Sequence, residues 1–81
     1  MQEEPLTIRI KDLNLAAALI SCGFPMIKNY RDKYNREYFV FDHTEELEHA
    51  MRDFRADTLH VRARQYSDNQ KMLKSVIYAD N

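Results

Sequence analysis

Eighty-one residues, 44% hydrophobic and 31% charged with a formal net charge of −1, describe one ordinary globular domain with a single modest core. That balance argues against a dedicated polyanion binder, though it leaves room for a local basic patch. One cysteine, Cys22, excludes an intrachain disulfide framework, Met-Gln-Glu-Glu-Pro at the N-terminus is no signal peptide, and no apolar run approaches the ~18 residues of a membrane span. The expectation is a cytoplasmic protein with no membrane partner. A chain this short has a thin margin of stability, roughly 5 kcal/mol, which self-association into a homodimer would widen.

Taken in order, residues 1–4 are expected to fray. Leu6, Ile8 and Ile10 alternate with Thr7, Arg9 and Lys11, the period-2 pattern of a half-buried strand bounded by Pro5. Asp12 then reads as the N-cap of a first helix, which is apolar nearly all round from Leu13 to Cys22 and so is expected to be the most buried helix. Gly23, the sole glycine, falls where a left-handed C′ residue belongs, with Phe24 placed to fold back on Leu19 and Pro25 to prevent continuation. Met26 to Tyr30 form the next strand. The run Arg-Asp-Lys-Tyr-Asn-Arg over 31–36 lacks a tight-hairpin dipeptide, so a longer, mobile connection is expected there.

Glu37-Tyr38-Phe39-Val40-Phe41-Asp42 is the densest run of β-formers and the expected central strand, with Phe39 and Phe41 on one face and Tyr38 and Val40 on the other. Asp42 with Glu45 resembles a capping box, and Thr44 is an alternative cap. Leu47, Ala50, Met51 and Phe54 form one stripe of a second helix, with Glu45, Glu46 and Glu48 at its start and Arg52 and Arg55 near its end. Ala56-Asp57-Thr58 reads as a turn, and Leu59 and Val61 as a short edge strand or extended chain. The last helix runs from about Ala63 to Tyr78, although Ser67 with Gln70 is a second capping-box pattern at which it could break or begin. The order β-α-β-β-α-α predicts a single α+β domain over 1–81, a two-layer structure with a short antiparallel sheet and helices packed on one face. Phe39, Phe41, Leu15, Leu19, Leu47 and Phe54 are its expected core.

Several of these motifs carry a family resemblance. Asp12-Leu13-x-Leu15-Ala16-Ala17-x-Leu19 followed by Gly23, then Tyr38-Phe39-Val40-Phe41, Glu45-Glu46-Leu47 and Leu73-Lys74-Ser75-x-Ile77-Tyr78, resemble a small family of uncharacterised proteins encoded by bacteria, phages and prophages. The likeness spans roughly residues 6–78. The family pattern tends to an acidic residue near position 62, where this chain has Arg62. The motifs are core and capping residues, so the resemblance supplies no catalytic residue. It implies a mobile-element context and a short adaptor or inhibitor-like protein.

The chemistry-bearing residues are sparse. His43, His49 and His60 match no two-histidine zinc spacing, and Cys22 is assigned to the buried helix. Serines 21, 67 and 75 lack a nucleophile-elbow motif, and one glycine leaves no loop to cradle phosphate. No enzyme activity, cofactor or metal is expected. Two binding surfaces stand out instead. If alternation holds, Arg9, Lys11, Met26, Lys28, Tyr30, Tyr38 and Val40 share the sheet face away from the Phe residues, interleaving bases with aromatics as single-strand platforms do. Arg52, Arg55, Arg62 and Arg64 give a basic helix surface, with Lys71 and Lys74 beyond it and acids interleaved.

The leading expectation is a non-enzymatic interaction protein that binds a host protein, a defence component being one such target. The alternative is a single-stranded nucleic-acid-binding module using the candidate face Arg9, Lys28, Tyr30 and Tyr38. A homodimer is expected to form through the second sheet face or the last helix, unless that helix crosses over to cover the sheet.

Overall fold

The computed structural model describes residues 6–78; the fraying expected of residues 1–4 lies outside them. Three strands and three helices follow in the expected order: β1 (Thr7–Ile10), α1 (Leu13–Ser21), β2 (Met26–Arg31), β3 (Glu37–Asp42), α2 (Glu45–Arg55) and α3 (Ala63–Tyr78). The sheet order is β1-β3-β2, with β3 antiparallel to both neighbours. β1 and β2 therefore run parallel with β3 between them, and α1 makes the crossover of a split β-α-β unit.

Local chemistry explains most boundaries. The Asp12 carboxylate accepts from the N–H groups of Asn14 at 2.9 Å and Leu15 at 3.3 Å, opening α1. At its other end Gly23 has φ of 98°, its N–H reaches the Ile20 carbonyl, and the Phe24 N–H reaches the Leu19 carbonyl, both at 3.0 Å. That is the anticipated Schellman closure. Cys22 is the C-cap and is exposed, a correction to its placement in the buried stretch. α2 repeats the closure without glycine: Asp57 takes φ of 62°, and the Thr58 N–H bonds the Asp53 carbonyl. At the start of α2 the cap is Thr44, whose hydroxyl accepts from the Leu47 N–H at 3.1 Å. Asp42 is still in the strand and cannot reach round; His43 hydrogen-bonds Glu48 instead.

Residues 58–62 are irregular, so Leu59 and Val61 belong to extended chain and not to an edge strand. α3 is continuous through Ser67 and Gln70. Ser67 cannot cap there because the helix has already started, with the Tyr66 N–H bonded to the Arg62 carbonyl.

The core lies between the Phe face of the sheet and the helices. Phe39, Phe41, Leu19, Leu47 and Leu73 are fully buried, joined by Ile10, Leu15, Ala16, Ala17, Ala50 and Met51; Phe54 is half-buried at its margin. Losing the Phe41 ring would cost about 3–5 kcal/mol, enough to threaten a domain this small. The alanines of α1 let α3 pack closely against it, and Asn69 Nδ2 reaches Ser21 Oγ at 2.9 Å while Gln70 Nε2 reaches Asn14 Oδ1 at 2.7 Å. Leu73 carries α3 into the same core as Phe39 and Phe41, so all three helices sit on one side. Extents of 39 × 38 × 18 Å describe the resulting flat, two-layer slab. The last helix does not cross to the second sheet face.

Candidate binding surface

The second face of the sheet is where the sequence-derived site assembles. Register places Arg9 and Lys28 on either side of Val40, and Tyr30 beside Tyr38. Arg9, Lys28, Tyr30 and Tyr38 are thus brought together. Met26 is not among them. It stands opposite Phe41 and packs on the core, because a register irregularity between Met26 and Lys28 makes Ile27 the extra residue of a β-bulge. Lys11 is exposed just past the end of β1.

The four side chains make one network. The Tyr30 and Tyr38 rings stack with centroids 5.3 Å apart and planes at 25°. The Arg9 guanidinium carbon lies 5.3 Å from the Tyr38 centroid, and its Nη1 donates to the Tyr30 hydroxyl at 3.2 Å. That hydrogen bond, with the electrostatic pull of Tyr30, raises the Arg9 pKa further above its ordinary range. Val40 is only 4% exposed although no helix among the described residues lies on this face. Its cross-strand neighbours are Arg9 and Lys28, long side chains whose stems can lie along it while their charged heads stay in water. The apolar surplus expected on this face, Met26 with Val40 and Tyr38, is therefore not assembled there.

The β2–β3 connection adds to the surface. It is a compact turn over residues 32–36, with Lys33, Tyr34 and Asn35 at its tip. The Asn35 N–H bonds the Asp32 carbonyl at 3.0 Å, Asn35 takes φ of 67°, and the Asp32 N–H returns to the Arg36 carbonyl at 2.9 Å. Asparagine supplies the left-handed residue that glycine would otherwise provide. Asp32 Oδ1 accepts from the N–H groups of Tyr34 and Arg36, both at 2.9 Å, and Oδ2 pairs with Arg36 Nε at 3.2 Å. The Arg36 N–H above all, then the Tyr34 N–H, the Arg36 charge and the Tyr38 hydroxyl, hold the Asp32 carboxyl below the usual range. Tyr34 is exposed with Lys33 and Arg36 over its ring. The basic-aromatic sequence Lys33-Tyr34-x-Arg36 was the signal for these residues, and reading it as a mobile loop concealed it.

On the helix side of the same hairpin, Arg31 Nε pairs with Glu37 at 3.2 Å, Asn29 Nδ2 donates to Glu37 at 2.8 Å, and an Arg31 terminal nitrogen donates to the Ile77 carbonyl of α3. Glu37 is thereby turned away from the Tyr38 face. Arg52 and Arg55 lie in the last turn of α2, with Arg62 and Arg64 at the start of α3; all four are exposed and belong to the helix layer. They do not join the sheet-face cluster. Among the described residues no group of three or more His, Cys, Asp or Glu is placed to hold a metal, and no helix is long and apolar enough to cross a membrane.

Comparison with curated proteins and with solved structures returns no match. A family model described as a domain of unknown function, DUF5659, matches residues 6–79, which is nearly the whole chain, and the protein belongs to that family.

Proposed function

We propose that this protein is a non-enzymatic binding module whose open sheet face takes single-stranded nucleic acid. One observation carries the reading: Tyr30 and Tyr38 are stacked beside Arg9 and Lys28 on a face that no helix among the described residues covers. Aromatic rings standing on a sheet stack unpaired bases, and flanking cations neutralise the backbone that links them. The net charge of −1 is no obstacle, because a local basic patch does not need a basic chain. Asp42, Glu45, Glu46 and Glu48 collect around the end of β3 and the start of α2, where they cap the helix dipole. The bases Arg9, Lys28, Lys33 and Arg36 surround the tyrosines and the hairpin.

Fluorescence anisotropy with labelled oligothymidylate and oligouridylate at low salt tests the proposal. Tyr38→Ala is expected to weaken binding by ~1–3 kcal/mol. Lys28→Ala is expected mainly to flatten the salt dependence. A folded protein that binds neither oligonucleotide at low salt ends the reading.

A second reading, a mobile-element protein that binds a host protein such as a defence component, is favoured by a different surface. At the end of the sheet away from the hairpin, Leu6 is 73% and Ile27 is 49% exposed, and Phe24, Pro25, Asp42, Thr44, Glu46 and Leu47 line a shallow groove nearby. Such an end, exposed apolar side chains with an acidic rim, suits a protein partner or a second copy of the chain. Capture from host lysate with and without nuclease separates the two readings. A stoichiometric partner that survives nuclease and is lost in Leu6→Glu supports the protein reading. Sedimentation across a wide concentration range reads the homodimer directly.

A further inference from the structure

We infer that the β2–β3 hairpin tip is a second base-stacking station, so that a single strand lying on the sheet face continues onto Tyr34. The inference rests on the proposed sheet-face site and extends it beyond the residues that define it. Tyr34 is 65% exposed at the tip. The Arg36 guanidinium carbon lies 5.0 Å from its ring centroid and the Lys33 ammonium 5.3 Å. A ring so exposed adds little to the core. Arg36 already pairs with Asp32, so Lys33 is the cation at this ring that the described residues leave without an acidic partner, and a phosphate can take that place.

The tip is also held rigidly. Asp32 fixes the backbone of Tyr34 and Arg36 through their N–H groups, and Asn35 closes the turn in the left-handed region. A ring on a fixed turn is oriented before the ligand arrives, so less freedom is lost on binding. Asp32 is the carboxylate of the turn itself, and its oxygens are occupied by two backbone N–H groups and Arg36 Nε. Glu37 is engaged by Arg31 and Asn29 on the helix side. A polyanion therefore meets Lys33 and Arg36 at the hairpin, Arg9 and Lys28 beside Val40 in the middle of the sheet, and the acids of α2 at the other end. That asymmetry directs the ligand toward the tip. Unpaired bases are the matching chemistry, because a duplex hides the base faces that Tyr30, Tyr38 and Tyr34 would stack.

The test is the affinity of wild type, Tyr34→Ala, Tyr34→Phe and Tyr38→Ala for oligothymidylates of increasing length at low salt. Thermal melts check that each variant is folded. Tyr34→Ala is expected to lower the affinity for long oligonucleotides by roughly 5- to 100-fold and to leave the shortest binder unchanged. Tyr34→Phe keeps the ring and should bind as wild type. Lys33→Ala should reduce the salt slope without abolishing the length dependence. If Tyr34→Ala binds every length as wild type does while Tyr38→Ala is weakened, the tip station is overturned and the sheet-face site stands. Loss in Tyr34→Ala with no loss in Tyr38→Ala overturns a continuous track from the sheet. Binding of no oligonucleotide by folded wild type overturns both.

Discussion

Met26 lies opposite Phe41 on the helix side of the sheet, although it is an even number of residues from Lys28 and Tyr30, which lie on the other side. A bulge at Ile27 reconciles the two. It lets one short strand send a thioether into the core and then turn a lysine and a tyrosine toward Tyr38. An unbroken strand from Met26 could not do both, since side chains alternate strictly.

Deleting Ile27 should therefore be tolerated. Met26 and Lys28 would become adjacent opposite Phe41 and Val40, which are themselves adjacent, and every other pair would keep its register. A cooperative melt with a loss of no more than about 1–2 kcal/mol is expected. Deleting Asn29 instead pushes Lys28 toward the core face or drags the hairpin out of register, and should cost clearly more. Thermal denaturation of the two deletions side by side decides it. Equal losses would show that the bulge does not set the faces.

Gly23 and Asp57 occupy the same position in two Schellman closures but differ in backbone freedom. A Cβ at Gly23 would meet nothing within 4 Å, so Gly23→Ala is penalised by its φ alone, about 1 kcal/mol. Asp57→Gly relieves the corresponding strain at the end of α2 and should stabilise by about 0.5–1 kcal/mol. Urea unfolding should show midpoints moving in opposite directions with unchanged slopes.

Arg31 ties the hairpin to the last helix by bridging Glu37, Asn35 and the Ile77 carbonyl. Arg31→Ala is expected to cost about 1–2 kcal/mol, since the pair is only partly shielded from solvent. It should also raise amide exchange in the last turn of α3. Arg31→Lys should recover little, because a single ammonium cannot fork to three acceptors.

Asp32 makes the hairpin acid-sensitive. Its carboxyl is held below the usual range in the folded chain, chiefly by the Arg36 N–H, so the folded state binds fewer protons than the unfolded one. The stabilisation is present above the unfolded value, about 3.9, and is lost as pH falls through the lower folded value. Carboxyl chemical shifts should show Asp32 titrating below an ordinary aspartate. The Tyr34 and Arg36 amides should exchange faster as it protonates, and Asp32→Asn should remove that pH dependence.

Much of the fold was legible in the sequence because it is decided locally. Asp12 caps α1 and Gly23 ends it through bonds spanning five residues or fewer. The alternation in β1 and β3 assigns Ile8, Ile10, Phe39 and Phe41 to one face, and Arg9, Tyr38 and Val40 to the other. For the candidate surface this was enough to bring Arg9 and Tyr38 together, and to place Lys28 and Tyr30 with them. What only the tertiary structure decided depends on partners distant in sequence. The Ile27 bulge exists only against β3, so the strand by itself could not show that Met26 leaves the face that Lys28 and Tyr30 keep. Thr44 displaces Asp42 as the cap because β1 pairing extends β3 through Asp42. The hairpin tightens because Asp32 gathers N–H groups and an arginine that the sequence presents only as a charged run. α3 settles on α1 and not on the second sheet face, because Leu73 completes the core beside Phe39 and Phe41 while Arg31 holds the Ile77 carbonyl. That choice of side leaves Tyr30 and Tyr38 half-buried on a face that no helix among the described residues covers.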